Sequence, residues 1–164
     1  MIGIYWIVSK VIKKKIIAST AGATELEIDK VYSFFRNQNK NFSFMHCVGE
    51  YPTPDENLNL NQIEYLKNRY PNIEIGYSTH ERPDNYTAIS MAIAKGASIF
   101  EKHVGLKSKK YDINSYSATP EMISQWLEAA KQSYSSLGKF QKTRKDFSTK
   151  EITDLRILHR GAFA

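Results

Sequence analysis

Strand-like and helix-like patterns alternate four times along this chain, and that alternation constrains its fold more than any other feature. The first strand is IIAST (16–20), and the helix after it opens with the capping box Thr24-x-x-Glu27, whose side chains satisfy orphan amide donors. Ile28, Val31 and Phe35 then recur at helical spacing and are expected to face the core. The second strand is FSFMHCV (42–48). After a loop holding Tyr51-Pro52-Thr53-Pro54 comes a helix with Leu60, Ile63 and Leu66 on one face, ended by Pro71. The third strand is IEIGY (73–77). Its helix starts near Pro83–Asp84, buries Tyr86, Ile89 and Ile93, and stops at Gly96. The fourth strand is SIFEK (98–102). A lysine-rich loop then leads to Thr119-Pro120, a cap followed by proline at the first helical position, and to a helix burying Ile123, Trp126, Leu127, Ala130 and Tyr134 up to Gly138.

Strict βα alternation implies a parallel sheet with right-handed crossovers. Four such units are half of a (β/α)8 barrel, which typically takes about 250 residues. A four-stranded open sheet covered on both faces is the structural alternative. Polar residues gather at the strand ends in all four units, which favours an α/β fold of partial (β/α)8 TIM-barrel type over residues 1–138. Residues 139–148 are polar and basic and read as a linker or surface loop. A last short helix is expected from Ser148, with a capping box Ser148-x-x-Glu151 and an apolar set of Ile152, Leu155 and Leu158, so that 139–164 reads as a linker and short helix. The opening Met1–Val8 reads as the tail of a core helix: it is too short to span a bilayer and lacks the basic region and cleavage site of a signal peptide.

The chain is 164 residues long, with 41% hydrophobic and 24% charged residues, the composition of an ordinary globular domain. Its one cysteine, Cys47, rules out an internal disulfide framework, fits a reducing cytoplasm, and sits in an apolar run where a buried, inert thiol is expected. The formal charge of +6 comes largely from Lys13–Lys15 and from Lys107, Lys109 and Lys110. No aromatic-interleaved basic stripe accompanies them, so nucleic acid is not an expected partner, and the excess charge favours an anionic small substrate. No membrane partner is expected either.

A parallel βα array presents its chemistry at the carboxyl ends of its strands. Those ends carry Ser19 and Thr20; His46, Gly49 and Tyr51; Ser78 and His80; and Glu101, Lys102 and His103. His80 and His103 stand just past consecutive strands, where two imidazoles could share one metal ion; the other reading is two unrelated loop histidines. Ser19 and Ser78 could donate hydrogen bonds to a phosphate or carboxylate, or serve as ordinary loop caps. Side-chain alternation puts Glu101 and His103 on one face of the fourth strand and Lys102 on the other. A glutamate inside a barrel needs a partner or a ligand, so Glu101 is either support for the site or one side of a structural Glu–Lys or Glu–Ser contact. His46 lies within its strand and reads as a satisfied core histidine, and His159 as a helix C-terminal residue. Two histidines without a Cys or Asp cluster leave open coordination positions, which suits a hard or borderline divalent ion acting as a Lewis acid.

With these residues in view, the chain resembles the N-acetylneuraminate (sialic acid) synthase family. The stretches that carry the resemblance are IIAST (16–20), MHCVGEYPTP (45–54), GYSTH (76–80), EKHVG (101–105) and YSATPEM (116–122), in the family's order and spacing. The resemblance implies a (β/α)8 barrel followed by a small antifreeze-like domain, and condensation of phosphoenolpyruvate with N-acetylmannosamine or a related N-acylated amino sugar to a nonulosonic acid with release of phosphate. It implies a divalent ion, Mn2+ or Mg2+, on His80 and His103, phosphoenolpyruvate on Ser19 and Ser78, and the sugar near Tyr51 and Asp112. Thr79 stands where the family commonly has an acid, and Gly49 where it often has a side-chain hydrogen-bonding group.

By the same resemblance the chain corresponds to strands five to eight, without the first four strands and most of the antifreeze-like domain, so little or no activity is expected of it alone. A homodimer or a separate half-barrel is the partner such a fragment implies. Two other readings stay open: a non-catalytic half-barrel assembly module, and another phosphoenolpyruvate-dependent sugar-acid synthase or aldolase.

Overall fold

The computed structural model describes residues 14–158. The expectations for Met1–Val8, for Lys13, for His159 and for the segment 160–164 lie outside the described residues. The chain order is β1 (Ile16–Ser19), α1 (Glu25–Asn37), β2 (Phe42–Cys47), a 3-10 turn (Asp55–Asn57), α2 (Asn61–Arg69), β3 (Glu74–Thr79), α3 (Tyr86–Ala94), β4 (Ile99–Lys102), α4 (Pro120–Leu137) and α5 (Thr149–Leu158). The four strands form one parallel sheet in the order β1-β2-β3-β4. Each pair of neighbouring strands is joined through a helix, so the sheet is the α/β half-barrel that the alternation implies.

Side-chain alternation divides the sheet into two faces. On the helix-covered face, Phe42, Phe44, Ile75 and Tyr77 pack with Leu58, Leu60, Ile63, Leu66, Tyr70, Ala88 and Ala92 into the main core. Its centre is aromatic: Phe44 lies 5.5 Å from Phe42 and 5.3 Å from Tyr70, and Tyr32 lies 4.8 Å from Tyr70. β2 is buried along its whole length, as expected of a strand with neighbours on both sides and cover on both faces. A second cluster joins Ile89 and Ile93 of α3 to Trp126 of α4. On the other face, Gly76 permits close approach of β3 to its neighbours, since an added Cβ would lie 2.6 Å from the carbonyl oxygen of Ile99.

The helix ends follow the sequence chemistry. Thr24 and Glu27 form both halves of the capping box, and the Thr119 side chain accepts from the amide of Met122 ahead of Pro120. α3 ends before Gly96, which takes a φ of +95°, a conformation that glycine adopts without steric cost. Ser148 accepts from the amide of Glu151, and the Glu151 carboxylate, paired with Lys145 at 2.6 Å, also takes a backbone hydrogen bond from Ser148, as the box requires.

Three expected core positions differ. Val31 is 38% exposed and Tyr32 takes its place beside Ile28 and Phe35, because α1 meets the sheet along the i, i+4, i+7 row that carries the larger ring. Leu127 and Tyr134 of α4 are about half exposed. α4 rests on α3 through Trp126, Ala129 and Ala130, a narrow stripe that leaves those two side chains at its margins. β3 also runs on to Thr79, two residues past the expected Tyr77, because its ladder with β4 continues to the pair Thr79↔Lys102.

Candidate functional site

The register of β3 and β4 pairs Ser78 with Glu101 and Thr79 with Lys102. One step further along both strands stand His80 and His103. Neighbouring strands are about 4.8 Å apart, so two side chains at matched positions on one face must meet. Their rings do, with centroids 5.1 Å apart and planes at 45°. The two histidines are therefore one cluster rather than two unrelated loop residues.

Each histidine is anchored by a loop. The main-chain carbonyl of His80 accepts from the amide of Thr53 at 2.9 Å, and that of His103 accepts from the amide of Ala118 at 2.9 Å. The first contact holds the loop after β2, where the Thr53 hydroxyl donates to the carbonyl of Glu50 at 2.7 Å and the Tyr51–Pro52 peptide bond is cis. Tyr51 lies against His80, with ring centroids 4.1 Å apart. The second contact holds the loop after β4, and sets Tyr116 edge-on to His103 at 5.1 Å and 87°. Tyr51 and Tyr116 themselves lie 5.3 Å apart, so four rings surround the ends of β3 and β4.

The buried His80 ring has one nitrogen committed: Nδ1 lies 2.9 Å from the carbonyl oxygen of Val48. A carbonyl has no proton to give, so Nδ1 carries a hydrogen, and the ring's metal-ligating form is the one with its lone pair on Nε2. A histidine that ligates a metal is commonly oriented in this way by a carbonyl or carboxylate on its other nitrogen. The donor set, two neighbouring imidazoles with one tautomer imposed, fits a divalent ion that keeps other positions for water or substrate. Among the described residues no group of three or more His, Cys, Asp or Glu side chains could hold a metal, so His80 and His103 would supply only part of a coordination shell.

The remaining candidates divide. Ser78 is buried and donates to Glu101 at 3.0 Å, which realises the Glu–Ser contact as their register requires. Ser19 closes β1 on the same side of the sheet, and its hydroxyl accepts from the amide of Ala21 at 3.3 Å. Asp112 is turned to solvent and paired with Lys107 at 3.0 Å. Cys47 is a buried free thiol. Tyr116 and Glu81 are neighbours of the site that reading by residue type did not single out, whereas Lys102 was placed on the face opposite Glu101 and there pairs with Glu81. Tyr116 was visible only as part of YSATPEM, since nothing local says that its loop folds back over His103.

His46 occupies the helix-covered face, where it stacks on Tyr77 at 6.1 Å and its Nε2 donates to the carbonyl of Leu58 at 2.8 Å. Burial pulls its pKa below the ordinary value of about 6.5, against a smaller upward pull from the bond to Leu58. A depressed folded-state pKa stabilises the fold above the unfolded value, and that contribution is lost as the pH falls through the folded value. The denaturation midpoint of the native chain is therefore expected to fall more steeply between pH 7 and pH 5 than that of His46→Gln, which keeps an N–H for Leu58 and does not titrate. Equal slopes in paired denaturant melts would contradict this account.

A parallel βα sheet whose strand ends carry paired imidazoles, hydroxyls and aromatic rings defines the class: a partial TIM barrel with its polar site at the carboxyl edge. The chain belongs to the NeuB family, whose model matches residues 7–142. It is 36% identical over 128 residues to the pseudaminic acid synthase of Campylobacter jejuni, covering 77% of this chain and 36% of that one. It is 34% identical over 111 residues to the human N-acetylneuraminate-9-phosphate synthase, covering 66% and 30%. Among solved structures it resembles one described as a spore coat polysaccharide biosynthesis protein E, from Chromobacterium violaceum (46% identity, TM-score 0.83, 93% of this chain and 45% of that one). It also resembles the N-acetylneuraminic acid synthetase of Leptospira borgpetersenii, solved with citrate (28% identity, TM-score 0.72, 88% and 50%). The chain thus spans about a third of the length of these curated relatives and about half that of the solved ones. Among the described residues no helix is long and apolar enough to cross a membrane.

Proposed function

We propose that this chain is the metal- and sugar-binding half of a nonulosonic-acid synthase barrel, which joins phosphoenolpyruvate to N-acetylmannosamine or a related N-acylated amino sugar. The observation that carries the reading is the matched pair His80 and His103, one register step beyond the β3–β4 ladder, with His80 bonded to Val48 through Nδ1 so that Nε2 is the nitrogen available to a metal. These two imidazoles would hold Mn2+ or Mg2+, which when bound supplies Lewis-acid polarisation of the sugar aldehyde. Ser19 would donate to phosphoenolpyruvate, and Ser78 would do so by turning its hydroxyl proton away from Glu101, to which it now donates. Tyr51 offers a ring face to the sugar beside His80, and Asp112 would approach the sugar by leaving its exposed pairing with Lys107. In the reaction the enol carbon attacks the aldehyde carbon, water adds to the resulting cation, and the tetrahedral intermediate expels phosphate.

The described sheet has four strands where a closed (β/α)8 barrel has eight, so the 164 residues alone would give little or no turnover. Four further βα units would have to supply the rest of the pocket wall. The buried free thiol of Cys47 agrees with a reducing, cytoplasmic setting. The test is a chimera in which residues 14–138 replace the aligned segment of the Campylobacter jejuni pseudaminic acid synthase. It is expected to release phosphate from phosphoenolpyruvate with Mn2+ and at least one sugar of an N-acylated amino-sugar panel, while the isolated chain does not. A folded chimera silent on the whole panel would sink the reading, and robust turnover by the isolated chain would sink the inactivity.

A further inference from the structure

On the helix-covered side of the sheet, behind the two histidines, Lys102 and Glu81 form an ion pair at 2.8 Å, with side chains 3% and 0% exposed. The Lys102 ammonium also donates to the Thr79 hydroxyl at 3.1 Å, which in turn donates to Glu81, and the Tyr77 hydroxyl donates to Glu81 at 3.1 Å. The surroundings are apolar: Tyr77 belongs to the main core and Phe100 packs against it. Desolvating two full charges in such a place is costly, and an apolar pair of similar volume often serves stability as well or better. Stability alone therefore does not account for the pair.

Its position does. Glu81 follows His80 in the chain and Lys102 precedes His103, and the registered ladder between the strands ends at Thr79↔Lys102. The ion pair thus prolongs the pairing of β3 and β4 to the point where both strands leave the sheet. The anchors at Val48, Thr53 and Ala118 tie each histidine to the loops after β2 and β4, whereas Glu81–Lys102 joins the His80 segment to the His103 segment directly.

We propose that Glu81 and Lys102 are positioning residues that set the separation of the His80 and His103 rings from the opposite face of the sheet. The metal arm of the test rests on the function proposed above; the ring-contact arm does not. In the full 164-residue chain with isotope-labelled histidine, the native protein is expected to show a nuclear Overhauser cross-peak between the two imidazoles. In Glu81→Gln, and in the doubly neutral Glu81→Gln/Lys102→Met, which leaves no uncompensated buried charge, a loosening of about 1 Å would weaken that peak about threefold. Mn2+ affinity by calorimetry is expected to drop about 10- to 100-fold in both variants, the usual cost of losing support behind a ligand. An undiminished cross-peak in the folded double variant, or its absence from the native chain, overturns the proposal. A native chain that shows the cross-peak but takes up no Mn2+ overturns the metal reading and leaves the positioning role supported by the cross-peak alone.

Discussion

Replacing His80 with alanine is expected to weaken Mn2+ binding more than about 100-fold, beyond the 10- to 100-fold range seen when only a supporting residue behind a ligand is lost. The argument is geometric. His80 contributes one of only two imidazoles at the cluster, and its free nitrogen is defined by the bond from Nδ1 to Val48. Removing it leaves His103 as a single donor, too few for a protein site to compete with water for a divalent ion. His103→Ala should match it, and the double variant should add little, because either single change already dismantles the pair. Thermal unfolding of His80→Ala should remain cooperative, since the ring packs at the strand ends outside the main core. Isothermal titration with Mn2+ decides the matter: undiminished affinity in either single variant would remove these residues from the metal site, and with them the proposed chemistry.

Phe44→Ala is expected to destabilise the chain by about 3–5 kcal/mol. Phe44 is 1% exposed, sits on the central strand β2, and packs against both Phe42 and Tyr70. Its loss removes apolar contact on several sides at once, and backbone paired to β1 and β3 cannot collapse into the void. Phe140→Ala is the control: that ring is 95% exposed, and its loss should cost less than about 0.5 kcal/mol. In denaturant titrations the Phe44 variant should show a lower midpoint with an unchanged slope. A shift as small as that of Phe140→Ala would mean that the aromatic cluster is not the centre of the core.

Most of the fold was legible because its signals are local. Thr24 with Glu27, Thr119 with Pro120, and Gly96 act within one turn of their helices, and the structure keeps all three. The face assignment on β4 was equally readable, since a two-residue period needs no knowledge of neighbours: Glu101 meets Ser78 on one side while Lys102 turns to Glu81 on the other. Val31 and Leu127 were misjudged because spacing defines a helical stripe only to within one row of side chains, and the partner surface selects the row. Glu81 escaped notice for a different reason: a lone acid after a histidine reads as a solvated loop residue until Lys102 is placed beside it from a separate strand.

The sequence by itself determined the βα alternation, the parallel sheet, the helix ends and the residue types at the strand ends, because propensity, period and capping act over a few neighbouring residues. Only the tertiary structure decided that His80 and His103 stand side by side, that Tyr116 closes over them, and that Glu81 and Lys102 neutralise each other beneath them. Those relations depend on strand register and on loops folding back over 13 or more residues. Register is set by the packing of whole faces against one another, which no local stretch of residues encodes.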